Sequence, residues 1–559
     1  MSRRFFTLAF VFSLLIGVVW LVSPLLGTAQ LSKCPPLSPP TGAVVTVSSV
    51  TELEMAVNSL TSGTTILIAD GIYNLHGTYL RFDVPNVAMR SASGNREAVI
   101  LDGNYETTEI VQIVTSTVTI ADLTLRRARH HPIHVTSTEG GNTNDTLIYN
   151  VRIIDPGQQA IKINPGADGY YSDDGVVACS HIELTDAGRP EVWTINGSCY
   201  TGGVDGHQAR GWVIRDNVIE GFWCQGDGSG CGGEDLSEHA IHFWTGSRDT
   251  IVERNVLTDN ARGVGFGLGS SGSGRTYDPN PCPGASGYVG HFDGIVRNNF
   301  IFASRAALFS SNCGFDCGIC LEQACGAQVF HNTVASTAAP FSSIEWRFSN
   351  TDADMINNLV SHNLRERDGA IASLSGNLEY APLSLFVDGA SGDLHLAATA
   401  TAAIDQGVSV SAGLCDDDID GDARPIGSSR DIGADEHGLP LPAAVTDLRV
   451  TAAITRTDTL TATLRWTAPA DAVTYTLRYS DTIIADDHWE SAITVTVPFT
   501  ASTPGVTEWL TVPVSYATGT VHFALKSQNT EGAWSALSNN ALWPHLDVYL
   551  PLILKGYRP

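Results

Sequence analysis

The sequence predicts an all-β chain in which a long solenoid is followed by a small β-sandwich. Two observations favour this fold class. A short alternating segment recurs eight times between residues 120 and 358. Residues 445–543 then carry short alternating strands separated by turn signals, a pattern typical of a sandwich.

The repeat places apolar residues around one small polar residue, at spacings between 26 and 44 residues. Such a unit cannot bury its own apolar face and must stack on its neighbours, so the repeat predicts a solenoid. The polar residue fits a turn, because Asn tolerates left-handed backbone and its amide can bond the same group one coil away. The eight polar residues are Asp122, Asn150, Ser180, Asn217, Asn255, Asn299, Asn332 and Asn358.

The first coils follow in order from residue 44. A strand is expected at 44–47, a helix that would cap the open core at 51–60, and further strands at 65–69, 72–73, 87–90 and 98–101. Near the other end, Asp420-Gly-Asp-Ala-Arg-Pro425 precedes Asp431-Ile-Gly-Ala-Asp-Glu436. Together these features resemble the right-handed parallel β-helix of the pectate-lyase-like superfamily over residues 42–437. The resemblance implies an architecture and leaves the chemistry open.

The N-terminus predicts export. Ser2-Arg3-Arg4 precedes an apolar run over residues 5–26, and small residues at 27–29 offer a cleavage site. This is the pattern of a secretory signal peptide over residues 1–29. The alternative is an uncleaved anchor, because the apolar run is long enough to cross a bilayer.

Export makes the eleven cysteines candidates for disulfides, and the odd number leaves at least one thiol unpaired or intermolecular. Cys224 and Cys231 bracket a Gly-rich insertion, and four more cysteines cluster at 313–325. Cys317-Gly-Ile-Cys320 has metal-like spacing, but a zinc site is the minority interpretation outside a reducing compartment. Stapled loops are the expected use.

The formal net charge is −27, with only 16% charged residues. Such a surface argues against nucleic acid as a partner, because that binding draws on clustered Lys and Arg. A polyanionic glycan would need a local basic patch within this field.

Beyond a predicted linker at 438–444, residues 445–543 resemble a fibronectin type III domain. The resemblance rests on Thr463-Leu-Arg-Trp466, Tyr475-Thr-Leu-Arg-Tyr479 and the closing Gly532-Ala-Trp-Ser535. Such modules space, pack or bind, so this one names no function. The tail at 544–559 resembles the C-terminal tails of some exported bacterial proteins, which implies sorting or retention at the cell surface.

Strand alternation predicts a column of titratable groups. In 132–135, 160–163 and 240–243 the Ile and the second apolar residue share one parity and must face the core. His134, Lys162 and His242 should then face outward, with Asp205 of the segment 203–207 between the last two. Because such positions should be exposed, neutral substitutions are expected to leave the melting temperature nearly unchanged.

A cationic cleft is expected around this column. Arg210, His239 and Arg248 lie nearby in sequence, Gly265 and Gly267 would leave open space, and aromatic residues could stack on sugar rings. The candidate catalytic residues are Lys162, His207, Arg210, His239, His242 and Arg248, and the candidate substrate-binding residues are His134, Asp205, Trp212 and Trp244. Trp193, Phe222 and Trp223 are further aromatic candidates.

This set suits β-elimination on a uronate-containing polysaccharide. The C5 proton becomes removable once a cation such as Arg210 or Arg248 neutralises the carboxylate, and Lys162 or His207 then abstracts it. Crowding by cations would lower the pKa of Lys162, whereas Asp205 in contact would raise it. The sequence leaves that balance open.

Two alternatives remain. Asp173-Asp174 is a possible carboxylate pair for a glycoside hydrolase, although the chain lacks the Gly-His-Gly and paired-Asp pattern of polygalacturonase-like enzymes. A non-catalytic surface protein that binds glycan would fit the C-terminal module and tail equally well. No cofactor is required by either, but Asp418, Asp420 and Asp422 alternate around a Gly as calcium loops do, so calcium is a possible ligand there.

Overall fold

A computed structural model describes residues 34–543, except 139, 168, 227–229, 439–441, 457–458, 486–488, 490, 496–500, 516–519 and 530–533. The predicted signal peptide (1–29) and tail (544–559) lie outside the described residues, and the predicted linker (438–444) does so in part. Among the described residues, no helix combines the length and the apolar character that a membrane span needs. The domain boundaries inferred from the sequence stay predictions.

Most of the chain winds through three parallel sheets, and a typical coil contributes one strand to each sheet. Sheet 1 has 14 strands, namely Ala43–Val47, Thr64–Ile68, Val87–Ser91, Val118–Ala121, Leu147–Tyr149, Val176–Ala178, Val213–Arg215, Ser247–Arg248, Ile251–Glu253, His291–Phe292, Ile295–Arg297, Ala324–Phe330, Asp352–Ile356 and Ile371–Ser375. Sheet 2 has 10 strands, namely Gly71–Asn74, Val99–Asp102, Thr124–Arg126, Arg152–Ile154, His181–Glu183, Val218–Glu220, Val256–Thr258, Phe300–Ala303, Thr333–Ser336 and Leu359–Val360. Sheet 3 has 10 strands, namely Leu80–Phe82, Val111–Ile113, Ile133–Thr136, Gln159–Asn164, Gly202–His207, Ile241–Trp244, Arg262–Phe266, Cys317–Glu322, Ser342–Arg347 and Leu364–Arg367.

The predicted all-β fold class is confirmed: most of the chain forms a parallel β-helix of three long sheets, and a unit of two antiparallel sheets follows it. The core of the helix is a continuous apolar column to which all three sheets contribute, including Ile120 of sheet 1, Ile153 of sheet 2 and Ile161 of sheet 3. Parallel strands buried on one face need this stacking, because one coil alone exposes most of its apolar surface.

The first coils also match the prediction. The strand Ala43–Val47 leads into the helix Val50–Asn58, which buries Leu53, Ala56 and Val57 on the core. Ser49 caps this helix by accepting a hydrogen bond from the backbone N–H of Glu52. Two further helices, Arg189–Asn196 and Ala306–Phe309, lie in connections between sheets 2 and 3.

A column of asparagines runs through the turns between sheets 1 and 2. The Nδ2 of Asn255 donates to Oδ1 of Asn299 at 3.0 Å and to the Ile214 carbonyl at 2.9 Å. Its Oδ1 accepts from the backbone N–H of Asn217 at 3.1 Å and from Nδ2 of Asn217 at 3.0 Å. The same pattern continues through Asn299, Asn332, Asn358 and Asn377. The predicted bonding between coils is therefore confirmed.

The left-handed residue differs from the prediction in the later coils. Asp122 and Asn150 themselves have positive φ, as expected. From the third repeat onward, the preceding residue takes that conformation, as Cys179 does before Ser180 and Asp216 does before Asn217. The Asn side chain is thereby directed to its neighbours in the column.

After sheet 3 ends, an antiparallel pair, Phe386–Asp388 with Asp393–Leu396, follows a short 3-10 turn at Leu383–Leu385. The terminal motif then packs Ile419, Ile432 and Ala434 against Phe300 and Phe302 of sheet 2. At its centre the buried Arg424 donates to Glu436 at 2.7 Å.

The C-terminal unit consists of two antiparallel sheets that share an apolar core around Leu464, Trp466 and Phe523. One sheet contains Arg449–Arg456, Thr459–Thr467 and Thr507–Ser515. The other contains Thr474–Ser480, Ile493–Thr494, Val521–Gln528 and Ala541–Trp543. The sandwich architecture agrees with the alternation, and the fibronectin type III assignment stays a prediction.

Five disulfides connect the coils and their insertions, pairing Cys34 with Cys179, Cys199 with Cys224, Cys231 with Cys313, Cys282 with Cys325 and Cys317 with Cys320. Cys415 is free and buried, as the odd count requires. Cys224 and Cys231, which bracket one insertion, thus bond different partners. These disulfides are consistent with an extracellular protein.

Candidate functional site

The predicted column exists on the outer face of sheet 3. His134 pairs with Lys162, Lys162 with Asp205, and Asp205 with His242 in consecutive strands. The alternation and the predicted alignment of Asp205 between Lys162 and His242 are both confirmed. The intervening Ile and Val side chains point into the core, as the parity argument requires.

The column is not exposed, which corrects the sequence-based expectation. Lys162 is 4% exposed and His242 is fully buried. The long connections that enter sheet 3 cover them: Tyr200 lies over Lys162, with 6.0 Å between Nζ and the ring centroid, and Glu238 lies beside His242. Facing away from the core therefore does not place these groups in solvent.

Asp205 is the centre of the cluster. Its Oδ2 accepts a hydrogen bond from Lys162 Nζ and lies 3.3 Å from His207 Nε2. Its Oδ1 accepts from Trp244 Nε1 at 3.0 Å and lies 3.6 Å from His242 Nδ1. A carboxylate that is only 2% exposed needs such partners, because an unpaired buried charge costs several kcal/mol.

The ion pair resolves the question that the sequence left open. Burial alone would lower the pKa of Lys162, but the Asp205 carboxylate outweighs burial and raises that pKa above its usual value. Burial would likewise raise the pKa of Asp205, but Lys162 and the hydrogen bond to His207 hold it well below its usual value. Both groups are therefore charged at neutral pH, and Lys162 is unsuited to act as a general base.

His207 is the accessible member of the cluster. Its Nε2 lies 2.9 Å from Lys162 Nζ, and its ring meets Trp244 edge-on at 4.5 Å between centroids. The His207 side chain is 24% exposed. Tyr200, whose ring lies 6.0 Å from Lys162 Nζ, is 39% exposed.

His239 and His242 lie one coil further along. Their ring centroids are 4.4 Å apart, and the His242 ring stacks on Trp244 at 5.3 Å. The expected open space over Gly265 does not exist, because a Cβ added there would meet the His239 ring at 2.6 Å. Gly267 is similarly enclosed, since a Cβ there would meet the Glu322 carbonyl.

Arg210 and Arg248 lie where sheet 3 gives way to sheet 1. They are neighbours across a parallel bridge. Arg210 pairs with Asp249 at 3.1 Å, and Arg248 pairs with Asp249 and with Asp293. Their guanidinium groups are thus engaged by carboxylates, and among the described contacts none joins them to Lys162 or His207.

His134 continues the column on the other side of Lys162. Its Nδ1 lies 2.7 Å from Glu109 Oε1, and its Nε2 lies 3.4 Å from Asn164 Nδ2. It is therefore a half-buried residue with two polar partners, one coil from the Lys162 pair.

Three of the aromatic candidates are core residues. Trp212 is fully buried, donates its indole N–H to the Ser172 carbonyl at 2.8 Å, and fills the space beside Gly175. Phe222 and Trp223 are buried in the same core. The prediction that Trp212 binds substrate is therefore wrong, because no face of its ring is accessible. Trp244 remains half-buried at the site, and Trp193 packs against the core from its helix.

Asp173 and Asp174, the carboxylate pair considered for a hydrolase, have different structural roles. Asp173 is held by Arg275 through two contacts of 2.8 and 3.0 Å, and it accepts from the Arg210 backbone N–H. Asp174 occupies a left-handed turn. Since Arg275 is sandwiched against Tyr171 and Tyr277, this pair fastens the loops beside sheet 3.

The three aspartates proposed for calcium do not form one ligand set. Both oxygens of Asp418 accept backbone hydrogen bonds, from Asp420, Asp422 and Glu436. Asp420 instead pairs with His395 at 2.9 Å. The alternating Asp residues around Gly421 therefore stabilise a turn, because the Asp418 carboxylate accepts hydrogen bonds from the backbone of that turn.

Tyr200, Glu109 and Glu238 were missed by the sequence argument. Glu238 directly precedes His239 in the sequence, and Tyr200 lies next to a disulfide cysteine in a connection of irregular length. Alternation identifies strand positions, but it carries no information about which loop residue folds over them.

Comparisons with known proteins add little to this geometry. No family model matches the chain, and no curated protein matches it. Among solved structures it is similar to an alginate lyase from Paenibacillus sp. str. FPU-7, with 15% identity, a TM-score of 0.39, and coverage of 60% of this chain and 97% of that one.

Two other structures are similar to a comparable extent. The pectate lyase Pel9A shares 15% identity at a TM-score of 0.43, over 69% of this chain and 90% of that one. The A-module of the Azotobacter vinelandii mannuronan C-5 epimerase AlgE4 shares 13% identity at a TM-score of 0.39, over 62% and 94%. Because these scores are below 0.5, the fold assignment rests on the three parallel sheets described above.

Proposed function

We propose that the chain is an exported polysaccharide lyase that cleaves a uronate-containing glycan by β-elimination at His207. The observation that carries the proposal is the contact between the accessible His207 and a buried, charged pair, Lys162 with Asp205. The Asp205 carboxylate accepts from the Nε2–H of His207 at 3.3 Å, so Nδ1 is the ring nitrogen left to present a lone pair. A neutral imidazole with a defined lone pair is what a general base requires.

In the proposed reaction, His207 removes the C5 proton of the uronate and the electron pair forms the C4–C5 double bond. The C4–O bond to the neighbouring sugar breaks, and the leaving oxygen takes a proton from the Tyr200 hydroxyl. Lys162 supplies positive charge beneath the uronate carboxylate, and Asp205 stabilises the imidazolium that His207 becomes. This assigns Lys162 and Asp205 as positioning residues, and it replaces Arg210 and Arg248 as the source of positive charge.

The surroundings of His207 are consistent with a sugar ligand. Trp244 and Tyr200 flank the same opening, and aromatic faces of this kind commonly pack against sugar rings. The walls are the connections that enter sheet 3, and insertions on one side of a solenoid are where such proteins usually form a site. The anionic character of the substrate is inferred from Lys162, the cation nearest to His207.

The test is a panel of uronate polysaccharides incubated with the mature protein, with ultraviolet absorbance of the unsaturated product as the readout. Wild type should produce this absorbance on one member. His207→Gln and Tyr200→Phe should each lower kcat by at least about 100-fold, the lower end of what acid or base catalysis contributes. His181→Gln is the matched control, since that half-buried histidine also faces a carboxylate, Glu220, but lies on sheet 2.

New reducing ends without ultraviolet absorbance would indicate a hydrolase and overturn the proposal. Equal activity of His207→Gln and His181→Gln would also overturn it. Circular dichroism of each variant separates a lost base from a lost fold.

A second candidate function is non-catalytic glycan binding at the same opening. The burial of Lys162 and His242 favours it, because an ion pair sealed from solvent is also a common structural device. Glycan-array binding that survives His207→Gln, without turnover of any bound glycan, is the expected result under this alternative.

Export and surface association belong to the proposal as well. The five disulfides support an oxidising compartment, and we interpret residues 445–543 as a fibronectin type III module that holds the enzyme near a surface. Mass spectrometry of the secreted protein should find a mature N-terminus near residue 30.

A further inference from the structure

We propose that Glu238, His239 and His242 form a binding site for one divalent transition-metal ion, with zinc as the natural choice. One ligand atom from each of the three residues can be chosen such that all three atoms lie within 4.8 Å of one another. The inference concerns binding alone and stands whether or not the chain proves to be a lyase.

The first argument is the orientation of His242. Its Nε2 lies 3.1 Å from the Gly267 carbonyl, and a carbonyl can only accept, so Nε2 carries the proton. In the neutral ring Nδ1 then presents a lone pair, and it faces Glu238 Oε2 at 3.1 Å and Asp205 Oδ1 at 3.6 Å. A metal-bound histidine usually donates its other N–H to a carbonyl in this way.

The second argument is the lack of hydrogen bonds at these atoms. Although His242 Nδ1 and Glu238 Oε2 are 3.1 Å apart, their geometry is outside the limits of a hydrogen bond, and neither atom has a hydrogen-bond partner among the described residues. Lone pairs that converge in a buried space without a shared proton repel each other. A cation between them removes that repulsion.

The third argument is His239. It is 1% exposed, and within the described chain both of its ring nitrogens lack a hydrogen-bond partner. A buried imidazole with neither nitrogen satisfied is costly, and such cases in native proteins call for an explanation such as an ion. Its ring centroid is 4.4 Å from that of His242, so both can bind one ion.

The chemistry of the donors selects the metal. Two imidazoles and one carboxylate suit zinc and its neighbours in the first transition series, whereas calcium requires six or more oxygens. Bonds of about 2.0–2.1 Å in a tetrahedral shell place donor atoms roughly 3.3 Å apart, close to the separation of Nδ1 and Oε2. The fourth position is left for water or for Asp205.

The local charge is compatible with a divalent ion. Arg262 lies 3.7 Å from Glu238 Oε2 and Lys162 is two coils away, but Glu238 and Asp205 offset these cations. The Glu238 side chain is 18% exposed, so it offers the route by which an ion would enter.

The experiment adds zinc, and separately cobalt, to untagged mature protein that has been treated with a chelator and dialysed. Elemental analysis should find one zinc per chain. Bound cobalt should show the intense visible absorption of a four-coordinate site. Glu238→Gln, His239→Gln and His242→Gln should each lose the stoichiometric uptake, whereas His134→Gln should retain it, because His134 lies three coils away beside Glu109.

A further variant separates this site from a thiolate site. Cys317 and Cys320 also have sulfur atoms close to His239. In the wild-type protein these two cysteines form a disulfide and therefore offer no thiolate. If Glu238 and His242 are the ligands, replacing both cysteines by serine should leave zinc uptake unchanged.

Three results would overturn the proposal. The first is a wild-type protein that takes up no zinc. The second is uptake that is lost in the cysteine variant but kept in His242→Gln. The third is uptake that all three ligand variants retain while circular dichroism shows them folded.

Discussion

Replacing Lys162 by Met tests how the buried charge pair stabilises the β-helix. Methionine has nearly the same length and flexibility as the lysine stem, so the packing of the side chain changes little. The ammonium group is lost, and Asp205 remains 2% exposed with its principal cation removed. Only half of a buried ion pair then remains, which is much worse than having neither half.

The expected loss follows from this arrangement. Removing one partner of a buried pair costs about 3–5 kcal/mol. A β-helix of about 400 residues has an unfolding entropy of roughly 0.8 kcal/mol/K, so the melting temperature should fall by about 4–6 °C. Asp205→Asn should cost a similar amount, because Lys162 is then the unpaired charge. The loss of stability in the double variant should be smaller than the sum of the two single losses by about 2 kcal/mol or more.

Thermal unfolding followed by circular dichroism, supported by denaturant titration, measures these differences. Arg210→Met is the matched control: it also removes a cation, but from a half-exposed side chain paired with Asp249, and it should change stability by less than about 0.5 kcal/mol. If Lys162→Met melts within 1 °C of wild type, or if the two losses add in full, Lys162 and Asp205 do not neutralise each other in the folded protein. The sequence-based expectation of an unchanged melting temperature would then be right after all.

Three other substitutions test separate parts of the structure. Asn255→Ala leaves the backbone N–H and the Nδ2 of Asn217 without their buried acceptor, so unfolding should become easier by about 2–6 kcal/mol in denaturant titration; a change below 1 kcal/mol would mean that the column contributes little. Although burial opposes it, the hydrogen bond to Asp420, with the nearby carboxylates, raises the pKa of His395 to about 10. Because the folded-state pKa is above the unfolded value, the charged imidazolium stabilises the folded protein fully below about pH 6.5, and this stabilisation is lost as pH rises toward 10. The difference in melting temperature between wild type and His395→Gln should therefore shrink over that interval, and a constant difference would contradict the assigned charge. Gly265→Ala places a Cβ within 2.6 Å of the His239 ring, so it should cost about 1–3 kcal/mol and weaken zinc uptake, and a variant as stable as wild type would show that the ring can move aside freely.

Much of the fold could be predicted because the repeat of the coils is visible in the sequence. The Asn repeat marks one turn of each coil, and the alternating Ile and Val residues around it mark the core face. The residue that adopts the left-handed conformation could not be read with the same accuracy. Asp216 before Asn217 and Asn150 itself are both plausible turn residues, and only stacking selects between them.

The sequence predicted which residues of the candidate site align across neighbouring strands, but it did not predict that they are buried. Parity placed His134, Lys162, Asp205 and His242 on one column, and that column is observed. Their burial depends on Tyr200, Glu238 and His239, which come from connections whose path has no periodic signal. The burial of Trp212 had a readable sign only in retrospect, in the glycine at 175 that leaves room for its ring.

The asparagine column gives the β-helix a direction. Every amide from Asn217 to Asn358 sends its oxygen toward the preceding coil and one of its N–H bonds toward the next, and the last of these bonds ends on the oxygen of Asn377. Rotating a single amide by half a turn would oppose two oxygens on one side and two N–H groups on the other. The amides are therefore reversible only all together, and the backbone N–H of each Asn, which needs the oxygen of its successor, forbids even that. Their dipoles add along the axis, so the two ends of the column differ in electrical sign as the two ends of an α-helix do.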